Sequence, residues 1–269
     1  MTTTELRSGI ATAAFTKGEG AQPALFLHCS LASARSLAPL MDHLGDLLSM
    51  TAFDLPGHGR SGRWSGEGDY LARATDVAES FCEGGQVLVG HSFGAVVALA
   101  LMARRPDLVR GAVLIEPVLF AAAAGTEAFE DHRRQHGAIR RALSAGERER
   151  ATALFTGAWG TGQDWSDIPA AQRGAMTDRI HLVEASAPGL SEDSTGILAE
   201  GRLDRVAAPV LLLRGSESHP VVAEIARELR HRLPDAREDV LAGAGHMAPL
   251  THPDAVAARI RDHLRRAAA

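Results

Sequence analysis

The sequence has little cysteine and almost no lysine. Only Cys29 and Cys82 occur in 269 residues, too few for a disulfide framework and not spaced as metal ligands, so both are expected to be reduced structural residues. Lys17 is the one lysine, and arginine supplies the rest of the positive charge, which we attribute to coding bias. No stretch approaches the roughly 20 apolar residues that span a bilayer. The opening Met1-Thr2-Thr3-Thr4-Glu5-Leu6-Arg7 lacks the charged-then-apolar order of a secretory signal, and the expected location is cytoplasmic. A formal net charge of -5 gives no reason to expect nucleic acid or a membrane as partner. Internal repeats and low-complexity linkers are also missing.

What is present is material for a core. With 45% hydrophobic residues the chain can bury a substantial interior as one large domain, with room for an inserted lobe. Short apolar runs recur between helical patterns: Ala24-Leu25-Phe26-Leu27, Met50-Thr51-Ala52-Phe53, Val87-Leu88-Val89, Ala112-Val113-Leu114-Ile115 and Val210-Leu211-Leu212-Leu213. Runs apolar on both faces suit parallel strands covered by helices on each side. The alternation therefore predicts an α/β fold with a mostly parallel twisted central sheet flanked by helices. A last strand is predicted over 236–242, and a final helix over 253–266, where Ala257, Ile260 and Leu264 share a face. Between 119 and 201 the pattern breaks into helical stretches at 127–143 and 147–155 and the turn-rich 157–162, with no strand. This segment is expected to be an inserted helical cap over the sheet's C-terminal edge, where open α/β sheets bind ligands. Residues 1–118 and 202–269 would form the core domain.

Five stretches carry chemistry. Gly90-His91-Ser92-Phe93-Gly94 stands between the run at 86–89 and an apolar stretch, 95–102, that continues as a helix. Its glycines let the chain reverse tightly, so that the serine hydroxyl projects from the top of a sheet. The helix that follows points its free N–H groups at whatever the serine attacks. Leu27-His28-Cys29-Ser30 ends the first central strand, and Asp54-Leu55-Pro56-Gly57-His58-Gly59-Arg60-Ser61 follows the next. Glu116 closes the run at 112–115, and Gly243-Ala244-Gly245-His246-Met247 comes just after the last predicted strand.

In this order, and over almost the whole chain, these stretches resemble the α/β-hydrolase fold superfamily. The match is to its capped serine hydrolase branch, which includes esterases, dehalogenases, epoxide hydrolases and carbon–carbon bond hydrolases. The stretch at 54–61 is specific to that branch. The resemblance implies that Ser92 is the nucleophile and His246 the general base, which takes the serine proton and returns it to the leaving group. A serine at the elbow favours acyl transfer; relatives with aspartate there form an alkyl-enzyme ester instead. The family usually places the acid three residues past the glycine that is here Gly215, and that position is Ser218. Two candidates remain. Glu116 is favoured, because some relatives carry the acid just after the strand that follows the nucleophile helix. Glu217, one residue before the usual position, is the alternative. Either would hold His246 in the correct tautomer and stabilise its imidazolium. The oxyanion hole is expected to join the N–H of Phe93 to that of Ser30, or failing that Leu31. Cys29 replaces the family's glycine in that loop and removes easy access to positive φ.

The remaining histidines near these motifs are expected to be structural: His58 orders its own loop, His28 supports the oxyanion turn and His91 packs beside the nucleophile. Cys29 reads as a buried filler. Within 119–201 acidic residues outnumber arginines, which argues against a pocket for polyacidic substrates, and Arg133, Arg134, Arg140 and Arg141 read as a solvated helix face. Phe120, Phe129, Phe155, Trp159 and Trp165 either line an apolar acyl pocket or form the segment's own core. The expected activity is hydrolysis, without cofactor or metal, of a small or medium, largely uncharged ester, lactone or thioester through an acyl-enzyme. A carbon–carbon bond hydrolase or an acyltransferase would use the same residues. The competing class is a non-hydrolytic lyase or ligand-binding protein on the same scaffold. Self-association into a homo-oligomer is left open.

Overall fold

The computed structural model describes residues 2–267. An eight-stranded sheet forms its centre, with strands β1 (Thr2–Arg7), β2 (Ile10–Lys17), β3 (Gln22–Leu27), β4 (Leu48–Phe53), β5 (Gln86–His91), β6 (Val109–Ile115), β7 (Val210–Gly215) and β8 (Ala236–Leu241). Their order is β1-β2-β4-β3-β5-β6-β7-β8. β2 pairs antiparallel with both β1 and β4, and every other pairing is parallel.

The apolar runs become strands because both of their faces are covered. Leu25, Leu27, Leu88, Leu114 and Leu212 pack on one side of the sheet with the helices Tyr70–Glu79, Phe93–Arg104 and Pro220–Arg232. Phe26, Val87, Val89, Val113 and Leu211 face the other side, against Leu40 and Met41 and against Val256 and Ile260 of the helix Pro253–Ala267. A side chain that alternates between two dry faces must be apolar at every position, which is why these strands read as unbroken runs. The helix Phe93–Arg104 is apolar all round for the same reason: its residues from Phe93 to Ala103 are all buried.

The hairpin β1–β2 escapes a search for apolar runs. β1 is an edge strand with mostly exposed threonines and a glutamate, and in β2 only Thr12 to Phe15 are buried. Its signal is the connection. Ser8 and Gly9 take φ of 47° and 81°, as a two-residue hairpin turn with the right twist requires. β8 ends at Leu241, one residue short of the predicted limit.

The connection between β6 and β7 is helical throughout, with helices Glu127–Ser144, Arg148–Trp159 and Ala170–Thr177 and shorter turns, and no strand among the described residues. Thr126 caps the first of these, its hydroxyl accepting the Phe129 N–H at 3.2 Å. The second runs past the expected end at 155 to Trp159, so the turn-rich stretch begins only at Gly160. Ile139, Ala142, Ala151, Ile180 and Val183 form a small core of this segment and close it against Leu31 of the sheet's upper loop. No helix among the described residues is long and apolar enough to cross a membrane.

Candidate active site

The common direction of the parallel strands gathers the expected site residues at one edge of the sheet. Ser92 follows β5, Glu116 follows β6, His28 follows β3, Ser218 lies three residues past the end of β7, and His246 stands in the loop after β8. This is the edge where open α/β sheets place ligands.

Ser92 itself has φ 55° and ψ -117°, a conformation that costs a residue with a Cβ on the order of 1–3 kcal/mol and holds the hydroxyl above the sheet. The reversal is therefore made by the serine; neither Gly90 nor Gly94 has positive φ. Their role is space. A Cβ on Gly90 would strike the backbone of Gly94 and Ala95, and one on Gly94 would strike the carbonyls of Leu27 and His28. The Ser92 N–H donates to the Ile115 carbonyl at 2.9 Å, which ties the bend to β6.

Three side chains form one hydrogen-bonded chain. Ser92 Oγ lies 2.9 Å from His246 Nε2, and His246 Nδ1 lies 2.9 Å from Glu116 Oε2. An ionised carboxylate only accepts, so the imidazole proton sits on Nδ1 and leaves Nε2 free to take the serine's. Glu116 is fully buried and its other oxygen accepts the Gly215 N–H at 2.7 Å and the Ser218 hydroxyl at 2.6 Å. Burial pushes this carboxyl towards protonation. The hydrogen bond and charge of His246, with the Ser218 and Gly215 donors, outweigh that and hold it below the ordinary carboxylate range. Glu116 also has a positive φ of 53°, with its N–H donating to the Leu213 carbonyl at 2.8 Å.

Glu217 is not part of this arrangement. It is exposed, with its backbone N–H donating to the Ala244 carbonyl at 2.9 Å, and its carboxylate meets none of the three groups. Ser218, which stands where the family usually places its acid, instead donates to Glu116. His91 is the other contributor that sequence reasoning undervalued. Its Nε2–H donates to the His246 carbonyl at 2.8 Å and so fixes the loop of His246 to the elbow. Burial, and then the neighbouring His246, press its pKa down to about 3, so it serves as a neutral brace.

Across the elbow lies the loop after β3. The N–H groups of Phe93 and Ser30 have no protein acceptor among the described residues. Leu31 does not suit the fallback role, since its N–H donates to His58 Nε2 at 3.1 Å. The positive φ that the family's glycine would supply at position 29 is taken up two residues later, by Leu31 at 63°, so Cys29 needs no such freedom. Cys29 is buried, and burial raises its thiol pKa to about 12, which keeps it protonated.

The histidines below this loop are structural and neutral. His28 Nε2 accepts the Leu55 N–H at 2.9 Å, so its Nδ1–H donates to the Cys29 carbonyl at 2.7 Å. His58 accepts from Leu31 and donates from Nδ1 to the Pro56 carbonyl at 3.1 Å. Burial is the main cause that lowers their pKa values to about 4 and about 3. Asp54 completes the frame, its two carboxylate oxygens accepting the N–H groups of Ala34 and Arg60, each at 2.8 Å. A Cβ at Gly59, which has φ 51°, would strike that carboxylate, so the motif at 54–61 is a self-bracing loop.

A cavity of about 30 Å³ opens at Ser92, walled by Phe120, His132, Phe155 and Trp159 of the helical segment and by Ser30. Trp159 packs edge-on against the His246 ring, with centroids 4.7 Å apart, and shields it from water. Phe129 and Trp165 do not reach this cavity; Trp165 is only half-buried, and Phe129 sits in the core and along an outer groove. A second, wider cleft of about 530 Å³ adjoins the first, with Ser30, Phe155 and Trp159 lining both.

Comparison with known proteins places the chain. A 2-(acetamidomethylene)succinate hydrolase of Mesorhizobium japonicum is 27% identical over 242 residues, covering 86% of this chain and 83% of that protein. An esterase of Mycobacterium tuberculosis is 27% identical over 260 residues, covering 91% and 83% of the two chains. The solved structure of an alpha/beta hydrolase from Sphaerobacter thermophilus superposes with a TM-score of 0.74 at 20% identity, covering 97% of this chain and 100% of the other. The model of the alpha/beta hydrolase family matches residues 24–259, from β3 into the final helix, and the protein belongs to that family.

Proposed function

We propose that the protein is a serine hydrolase that cleaves an ester-type acyl bond through an acyl-enzyme, with Ser92, His246 and Glu116 as its catalytic triad. The observation that carries this reading is the unbroken chain from Ser92 Oγ through both ring nitrogens of His246 to a buried, ionised Glu116. As Ser92 attacks the carbonyl carbon, its proton passes to His246 Nε2, and the imidazolium is stabilised by Glu116. The carbonyl oxygen, now an oxyanion, accepts from the N–H groups of Phe93 and Ser30, which meet no other acceptor. Such a donor contributes on the order of 3 kcal/mol to the transition state. His246 returns the proton to the leaving group as the bond to it breaks. It then takes a proton from water, whose oxygen attacks the acyl carbon, and gives that proton to Ser92 Oγ as the acyl–serine bond breaks and the free acid leaves.

The helical segment 119–201 acts in this reading as a cap, since Phe155 and Trp159 close the Ser92 cavity and hold the imidazole away from bulk water. Relatives named as esterases support the bond type. The test is labelling by a fluorophosphonate probe together with turnover of p-nitrophenyl esters. Wild-type protein is expected to label at Ser92 and turn over, and Ser92→Ala to do neither. Labelling without turnover of any ester would overturn hydrolysis and favour transfer to another acceptor or a binding role.

A further inference from the structure

We propose that the wide cleft beside Ser92 is a carboxylate site, in which Arg179 and Arg60 hold an anionic group on the substrate; this deepens the acyl-transfer reading above and rests on it. The two guanidiniums are the only charged side chains that line the cleft, and no aspartate or glutamate is among its lining residues. Neither forms an ion pair among the described residues. Five other arginines of the segment are engaged, while Arg140 and Arg141 lie outside this cleft. Arg133, Arg134 and Arg150 each pair with a carboxylate one helical turn away, and Arg148 and Arg173 donate to backbone carbonyls. The outer groove that Arg133, Arg134 and Arg140 line is also lined by Glu130, Glu184 and Glu192, so its charge is balanced. In a chain of net charge -5, an acid-free cleft with two uncompensated cations is a local exception.

The position of Arg179 makes the exception useful. It is half-buried, and its charge is felt at both His28 and His58, whose pKa values it helps to lower. Those two imidazoles lie directly under the loop of Cys29, Ser30 and Leu31. Arg179 therefore stands on the Ser30 side of the nucleophile, and Ser30 is one of three residues, with Phe155 and Trp159, that the cleft and the Ser92 cavity have in common. A substrate with its reacting carbonyl at Ser92 passes Ser30 and enters a space edged by Gln163, Gln172 and Thr156 and closed by the guanidiniums. A planar guanidinium there matches a carboxylate through paired N–H donors, and partial burial strengthens the bond relative to water. The narrow cavity at Ser92 admits only a small group, so the bulk of the substrate, with its charge, belongs in the cleft.

The test compares matched esters that differ in one charge. p-Nitrophenyl hemiglutarate against p-nitrophenyl pentanoate places the charge on the acyl side, and 4-carboxyphenyl acetate against 4-methylphenyl acetate places it on the leaving group. In at least one pair the charged ester is expected to have a kcat/KM about tenfold higher or more at low salt, and 0.5 M salt to shrink that margin. Arg179→Gln should remove the preference while leaving turnover of the uncharged partner within about twofold, and Arg60→Gln should reduce it in part. A preference for the neutral ester in both pairs, or a preference that survives Arg179→Gln, overturns the proposal. Glutarate binding to the Ser92→Ala protein by calorimetry separates the two readings. If no ester is turned over but Arg179→Gln still weakens glutarate binding, acyl transfer falls and the carboxylate site stands. Equal or absent glutarate binding in the presence and absence of Arg179 removes the site, whatever the catalytic result.

Discussion

Replacing Glu116 by glutamine tests the acid's role with almost no change of shape. In the protein, one oxygen of Glu116 accepts from Gly215 N–H and Ser218 Oγ, and the other accepts from His246 Nδ1. A glutamine keeps the first pair only if its carbonyl oxygen stays there, and its NH2 group then faces His246. That amide donates, so the imidazole must present Nδ1 as an acceptor and carry its proton on Nε2, where it can no longer take one from Ser92. Flipping the amide restores the tautomer but sets NH2 against the Gly215 N–H, which leaves a buried donor unsatisfied at a cost of about 1–3 kcal/mol. The wrong tautomer thus dominates, and the imidazolium also loses its counter-charge. The expected loss in kcat is about 10⁴-fold, roughly 5 kcal/mol of transition-state stabilisation, with KM little changed. Steady-state turnover of p-nitrophenyl butyrate, with circular dichroism to confirm folding, measures it. Glu217→Gln is the control and should stay within about twofold, since that side chain is exposed. A Glu116→Gln protein within tenfold of wild type, or an equal loss in Glu217→Gln, would refute the assignment.

Other perturbations probe the frame. Ser218→Ala removes the 2.6 Å donor to Glu116 and should cost about 1 kcal/mol in urea melts, and up to about tenfold in kcat, with KM unchanged; an unaltered kcat would show that Gly215 alone holds the carboxylate. Gly94→Ala drives a methyl into the Leu27 and His28 carbonyls and should destabilise by at least about 2 kcal/mol, whereas a melting curve matching wild type would contradict the close approach. Stability should fall as pH drops below about 6.5. His28 and His58 are held neutral with pKa values of about 4 and about 3, so the unfolded chain binds more protons throughout that window. His28 alone accounts for about 3 kcal/mol by pH 4, and a melting temperature that is flat from pH 7 to pH 4 would refute its burial as a neutral group.

The central strands were legible because residues such as Leu25, Phe26 and Leu27 face dry surfaces on both sides, and the site because its residues sit at strand ends. β1 was not legible, since its exposed Thr2–Arg7 has no buried face to impose a pattern. The local sequence around Ser218 offered only an absent carboxylate. Its function as a donor depends on Glu116, 102 residues away along the chain, and such a pairing exists only once β6 and β7 lie side by side. Leu31 was mistaken for a spare donor because its engagement by His58 spans the β3 and β4 loops, which no local motif records.

His91 and Ile115 are partners in one parallel ladder, and the next residue on each strand is Ser92 and Glu116. Ser92 and Glu116 are thus pegged to a common rail whose spacing is set by main-chain pairing deep in the molecule. Only the His246 imidazole arrives from elsewhere, so in the proposed triad a single displaced loop after β8 would remove one member and leave the rail of the other two in register.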